Sequence, residues 1–127
     1  MIIGLGTDIV EIDRIGKMVE RHGENFLNRI YTDGEVKYCQ RRKESNQHLA
    51  GRWAVKEAVM KVLGTGFIRG IHWRDIEVTS QQSGKPVLVL HGGARDRADQ
   101  IGIGQVLISI SHCRAYATAT AIGIGSA

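Results

Sequence analysis

QHLAGRWAVKEAVMKVL, residues 47–63, runs into Gly64, Thr65 and Gly66, and it decides the fold. Wound at about 100° per residue, it places Ala50, Trp53 and Ala54 around Glu57. Val55, Ala58, Val59, Val62 and Leu63 fill most of the remaining circumference. A helix that is apolar nearly all round belongs inside a protein rather than on its surface, so this one is predicted to be the central element. Ser45 or Asn46 is a candidate N-cap. The glycines supply the stop, since glycine takes the left-handed conformation that ends helices.

Working outward, residues 2–10 are rich in β-branched and small apolar side chains and predict a strand, followed by a helix over 11–22 that Gly23 ends. Residues 26–31 read as a turn. Thr32 and Glu35 have the spacing of a capping box and open a second helix reaching about residue 42, and the charged run RRKES after it reads as a solvated turn. In the second half, residues 75–80 and 86–91 read as strands joined by a turn through Gln82, Ser83, Gly84 and Lys85. A short helix over 94–101 and a hairpin of 105–111 with 115–122 complete the order, leaving a soft Gly/Ser tail. Strands and helices segregated in this way predict an α+β domain, a largely antiparallel sheet packed against the long central helix. The whole chain, 1–127, is expected to form a single domain.

The composition narrows the function. With 127 residues, 43% hydrophobic and 24% charged, the chain has the makings of an ordinary globular core. Cys39 and Cys113 are far apart and have no metal-ligand spacing, so free thiols in a reducing compartment are expected. The first residues lack the basic start of a secretory signal, and Asp8, Glu11 and Asp13 interrupt the apolar run. No stretch approaches the roughly 20 apolar residues of a membrane span. The net charge of +4 favours an anionic partner, but aromatics make up only 6% and do not interleave with the basic residues, so nucleic acid is not expected.

Glu57 and Lys61 share one face of the central helix, among small side chains where a lone carboxylate is costly to desolvate. Two readings fit them. Either they are a plain Glu–Lys pair, or Glu57 holds a hard cation while Lys61 meets phosphate oxygens. Asp8 would then be the second ligand, since it interrupts the most apolar part of the first strand, and magnesium commonly takes one or two carboxylates. Gly64 and its neighbours, taken alone, read as a plain helix stop, the alternative being a loop that lets backbone approach a phosphate.

Asp8 within GTDIVEIDRI, the block GRWAVKEAVMKVLGTG, the segments WRDIEV and GKPVLVLHGGA, and the stretch SISHCRAYATATA occur here in one order. Together they resemble the holo-acyl-carrier-protein synthase family and span most of the chain. The resemblance implies a 4′-phosphopantetheinyl transferase-like fold. It implies transfer of the phosphopantetheine arm from coenzyme A to a serine of apo-acyl carrier protein, releasing 3′,5′-ADP in support of fatty acid biosynthesis. Mg2+ at the pyrophosphate, a cytoplasmic location and a homotrimer with active sites between neighbours follow from it too. Carried onto this chain, the metal ligands are Asp8 and Glu57, and Lys61 joins them as a catalytic and phosphate-contacting residue. Glu57, Asp8 through a metal-bound water, or Lys61 could take the serine proton.

The resemblance also implies that His112 meets the 3′-phosphate of the nucleotide, that Gly84 and Pro86 lie against the adenosine, and that Gly64 and Arg52 belong to the coenzyme A site. Arg52 projects opposite Glu57 on the helix, so its phosphate contact would be made across a subunit boundary. Arg14, Met18 and Arg21 lie at i, i+4 and i+7 of the first helix. On a stranger such a stripe is a solvated face. In this family it becomes a docking surface for an acidic carrier protein, where positive charge raises the encounter rate.

Overall fold

The computed structural model describes residues 1–65 and 70–126. Gly66, expected in the glycine loop after the central helix, lies outside them. Strand β1 (Ile2–Glu11) leads into helices α1 (Ile12–His22), α2 (Glu24–Ile30), α3 (Asp33–Gln40) and the long α4 (Ser45–Leu63). A single 3-10 turn at Trp73–Asp75 precedes β2 (Ile76–Ser80) and β3 (Pro86–Leu90). Helix α5 (Gly92–Gln100) and strands β4 (Ile103–His112) and β5 (Tyr116–Gly125) follow.

The expected α+β architecture is what the chain adopts, with every strand pairing antiparallel among the described residues. The strands divide into a three-stranded sheet of order β1-β5-β4 and a two-stranded sheet of β2 and β3. Helix α4 lies across the larger sheet, and its Leu49, Ala54, Val55, Ala58, Val59 and Leu63 are buried in the core. Alternation along β1 explains how close that approach is. Gly4, Gly6, Asp8 and Val10 share the helix-facing side, and a Cβ at Gly6 would collide with the carbonyl oxygen of Ala58. The two glycines therefore let helix and strand backbones touch, and Asp8 is the next residue along the same face.

Three local expectations are corrected. Residues 26–31 are not a turn: 26–30 make up most of α2 and Tyr31 caps it, because Phe26, Leu27 and Ile30 bury one face of a helical turn. The N-cap of α4 is Glu44, with no side-chain cap bond, rather than Ser45 or Asn46, and Asn46 instead packs its amide against Gly16 of α1. The C-terminal glycines are not a soft tail, since β5 continues to Gly125 and Gly123 nestles between Ile103 and Val62. The Thr32–Glu35 capping box forms as expected. Both cysteines are free, Cys39 buried and Cys113 exposed.

Candidate active site

The outer strand β1 and helix α4 run antiparallel, so Asp8, two residues beyond Gly6, comes level with the turn of α4 that carries Glu57 and Lys61. Lys61 Nζ donates to the carbonyl oxygen of Thr7 at 2.6 Å and to Asp8 Oδ1 at 3.4 Å. Burial holds the Asp8 carboxyl above its ordinary range, against the pull of Lys61 and Arg14. Burial likewise raises Glu57, and the Asp8 charge raises it further, with Lys61 and Arg14 opposing. The surrounding groups therefore leave two carboxylates short of positive charge, with one lysine beside them. Such a pair suits a hard divalent cation that keeps its remaining positions for water and phosphate oxygens. The plain i,i+4 pairing of Glu57 with Lys61 gives way to a Lys61–Asp8 bridge between helix and strand.

Arg14, on the first turns of α1, is exposed and near enough for its charge to act on both acids. Its guanidinium carbon also stands 5.9 Å from the ring of Trp53, which stacks on Trp73 at 4.5 Å. Arg21 is exposed on the same helix, while Met18 is partly buried against the core.

At the far edge of the sheet lies a second group of residues. Gly51 of α4 packs on Ile110 of β4, where a Cβ would lie 3.0 Å from Ile110 Cγ2. This contact opens a cleft of about 180 Å³ that is lined by Tyr38, Gln47, Arg52, Gly84, Pro86 and His112. Four residues implied by the resemblance, Arg52, Gly84, Pro86 and His112, thus converge from separate elements. Arg52 is only 4% exposed, its guanidinium lies 4.1 Å over the Tyr38 ring, and its Nε is buried with no hydrogen-bond partner. A buried cation with an unused donor costs stability unless something anionic meets it. Gly84 has φ of +90° at the tip of the β2–β3 turn, a conformation that glycine adopts without strain.

Gly64, the remaining residue implied for coenzyme A, takes a left-handed conformation as the cap of α4, its N–H donating to the Met60 carbonyl. The two groups do not meet within one chain. Asp8, Glu57 and Lys61 lie at the β1 edge, Arg52 and His112 at the β4 edge, and β5 and α4 lie between them.

Sequence reasoning missed the support behind both groups. Lys56 and Glu35 are fully buried and pair at 2.8 Å. Lys56 also donates to the carbonyls of Trp73 and Ile76, and Glu35 accepts from the N–H groups of Thr32 and Val78. The one available signal was a second charge, Lys56, directly beside Glu57 in a helix without a solvent face.

The model of the 4′-phosphopantetheinyl transferase superfamily matches residues 4–121 of this chain. A holo-[acyl-carrier-protein] synthase of Solibacter usitatus is 43% identical over 122 residues, covering 96% of this chain and 98% of that protein. The crystal structure of a holo-(acyl-carrier-protein) synthase from Bacillus anthracis, in complex with CoA (3′,5′-ADP), superimposes with a TM-score of 0.83. It is 34% identical over 99% of both chains. The Helicobacter pylori holo-[acyl-carrier-protein] synthase in complex with coenzyme A gives a TM-score of 0.83 at 30% identity, over 94% of this chain and 99% of that one.

Proposed function

The chain belongs to the 4′-phosphopantetheinyl transferase superfamily, among the holo-[acyl-carrier-protein] synthases, and on that premise we propose how its residues divide the work. The enzyme transfers the 4′-phosphopantetheine arm of coenzyme A to a serine of apo-acyl carrier protein and releases 3′,5′-ADP. The observation that carries the assignment of the reacting centre is the Asp8–Glu57 pair, two carboxyls raised by burial and facing one lysine.

Asp8 and Glu57 would hold a divalent cation, Mg2+. When bound, it supplies neutralising charge at the pyrophosphate. Lys61, tethered by Thr7 and Asp8, offers a further donor to the phosphate oxygens. Its tether keeps the ammonium beside the leaving 3′,5′-ADP. The carrier serine oxygen forms the new bond to the phosphorus that bears the pantetheine arm, its proton passing to a carboxylate of the Asp8–Glu57 pair. The bond from that phosphorus to the bridging oxygen breaks, its electron pair leaving on 3′,5′-ADP. Positioning and fixed charge supply most of the acceleration in such transfers. Arg14, Met18 and Arg21 form the docking stripe for the acidic carrier, and Arg14 sets that surface next to the acids. The product carrier serves fatty acid biosynthesis in the cytoplasm. Among the described residues no helix is long and apolar enough to cross a membrane.

The anion cleft is completed between copies. Arg52 and His112 meet the 3′-phosphate, Gly84 and Pro86 border the adenosine, and Gly64 lies at the end of α4 near Lys61. Because the β1 and β4 edges face opposite ways in one chain, coenzyme A is shared by the acids of one copy and the cleft of the next. A head-to-tail contact of this kind closes into a ring, here a homotrimer. The outward face of the large sheet favours the same arrangement, since Leu5 and Ile9 are 66% and 63% exposed and Ile3, Leu107 and Tyr116 extend the patch.

Incubating the enzyme with apo carrier protein, coenzyme A and Mg2+ and weighing the carrier tests the reaction. The carrier is expected to gain the phosphopantetheine mass, and an unchanged carrier overturns the reading. Glu57→Gln should abolish transfer, by at least about 100-fold, while circular dichroism stays that of the parent. Full activity in that variant would remove Glu57 from the metal site.

A further inference from the structure

In the cleft at the β4 edge, Gln47 Nε2 stands 2.8 Å from His112 Nδ1, across 65 positions of sequence. The meeting follows from the Gly51–Ile110 contact. One helical turn back from Gly51 is Gln47, and two residues on from Ile110, on the same face of β4, is His112. A helical turn rises about 5.4 Å and two strand residues span about 6.8 Å, so the two side chains are carried to the same place. The helix and strand are locked together there because Gly51 leaves no side chain between them.

The chemistry of this hydrogen bond is one-directional. An amide nitrogen only donates, so Nδ1 must accept with its lone pair, and the proton of a neutral imidazole is then fixed on Nε2. That distinction matters next to an anion. An Nε2–H attracts a phosphate oxygen, whereas a bare Nε2 lone pair repels it. Without Gln47 the ring would populate both tautomers and rotate about its side-chain bonds. Arg52, with its unpaired buried Nε, lines the same cleft.

We infer that Gln47 is a positioning residue that sets His112 as an Nε2–H donor and so gives the enzyme its preference for a donor substrate bearing a 3′-phosphate. The inference rests on the assignment of the cleft to that phosphate. Gln47 acts through the histidine that it contacts.

The test compares coenzyme A with 3′-dephospho-coenzyme A as donors for the parent, Gln47→Leu and His112→Ala enzymes. Gln47→Leu keeps the side-chain bulk at a half-buried helix position, and thermal unfolding checks that it folds as the parent does. It is expected to raise the KM for coenzyme A about fivefold, the worth of one modest hydrogen bond. The KM for 3′-dephospho-coenzyme A, the KM for the carrier and kcat should stay at parent values. An equal rise for both donors, or no rise, overturns the inference.

His112→Ala separates the two layers of the argument. If it leaves the preference for the 3′-phosphate intact, the cleft assignment fails and the inference with it. If it erases the preference while Gln47→Leu does not, the inference alone fails. A readout independent of turnover is the ¹⁵N spectrum of the imidazoles. His112 is expected as the Nε2–H tautomer in the parent and as the Nδ1–H tautomer in Gln47→Glu, whose carboxylate accepts where the amide donated. An unchanged tautomer in Gln47→Glu overturns the inference.

Discussion

Glu57 and Asp8 are acids that the fold makes less acidic, burial being the main cause for each. The folded chain therefore holds protons that the unfolded chain releases, and stability falls as pH rises above the ordinary carboxylate range. A divalent cation held by the two carboxylates would replace those protons at neutral pH. Millimolar Mg2+ is thus expected to raise Tm at pH 7.5, to have little effect near about pH 4 where carboxyls protonate, and to lose its effect in Glu57→Gln. A Mg2+ shift in Glu57→Gln as large as in the parent would place the ion elsewhere. At the same scale, Lys56 and Glu35 form a pair that neither charge could survive alone. Lys56→Met leaves the Glu35 carboxylate buried with only backbone donors, and denaturant titration should show a loss of about 3–5 kcal/mol. Adding Glu35→Gln should recover part of it, and independent, additive losses would mean that the pair does not act as a unit.

At the scale of elements, the site depends on how closely α4 lies on β1. Gly6 allows contact between backbones, and the helix then delivers Glu57 and Lys61 to Asp8. Gly6→Ala forces apart the two elements that carry the acids, since its Cβ would meet the Ala58 carbonyl oxygen. A loss of about 3 kcal/mol, accompanied by a fall in kcat, is expected. Gly4→Ala meets Val62 Cγ1 and the Val62 carbonyl oxygen at 3.3 Å, a much looser approach than the collision at Gly6, and should cost less in both measurements. Equal effects at the two positions would deny Gly6 its special place. Helix α4 serves the other edge as well, because Gly51 seats it on Ile110 and sets Gln47 and Arg52 in the anion cleft.

At the scale of the whole molecule, the proposed acid site and the proposed nucleotide cleft lie at opposite edges of one sheet. Asp8→Asn and His112→Ala, each weakly active alone, should therefore complement when unfolded together and refolded. Random mixing leaves about a quarter of the sites with intact acids from one copy and an intact cleft from its neighbour. No gain over the separate variants would place both halves in one chain. Charging the outward sheet face with Leu5→Lys and Ile9→Lys should reduce the proposed trimer to monomers in sedimentation and abolish transfer, with the secondary structure retained.

The central helix, the capping box at Thr32 and the acid that interrupts the first strand at Asp8 were legible in the sequence, because each depends on residues within a few positions of one another. The segment around Phe26 was misread because a helix of two turns has too few residues to show its period. What only the tertiary structure decided are the long-range pairings: Lys56 with Glu35, Gln47 with His112, and Lys61 with Asp8 rather than with Glu57. The periodicity of α4 marks it as buried all round but cannot say which neighbour covers each side. That choice follows from the strand order β1-β5-β4, which sets the acids at one edge and the anion cleft at the other. No spacing along the chain encodes it, because it arises only when the last strand inserts between the first and the fourth.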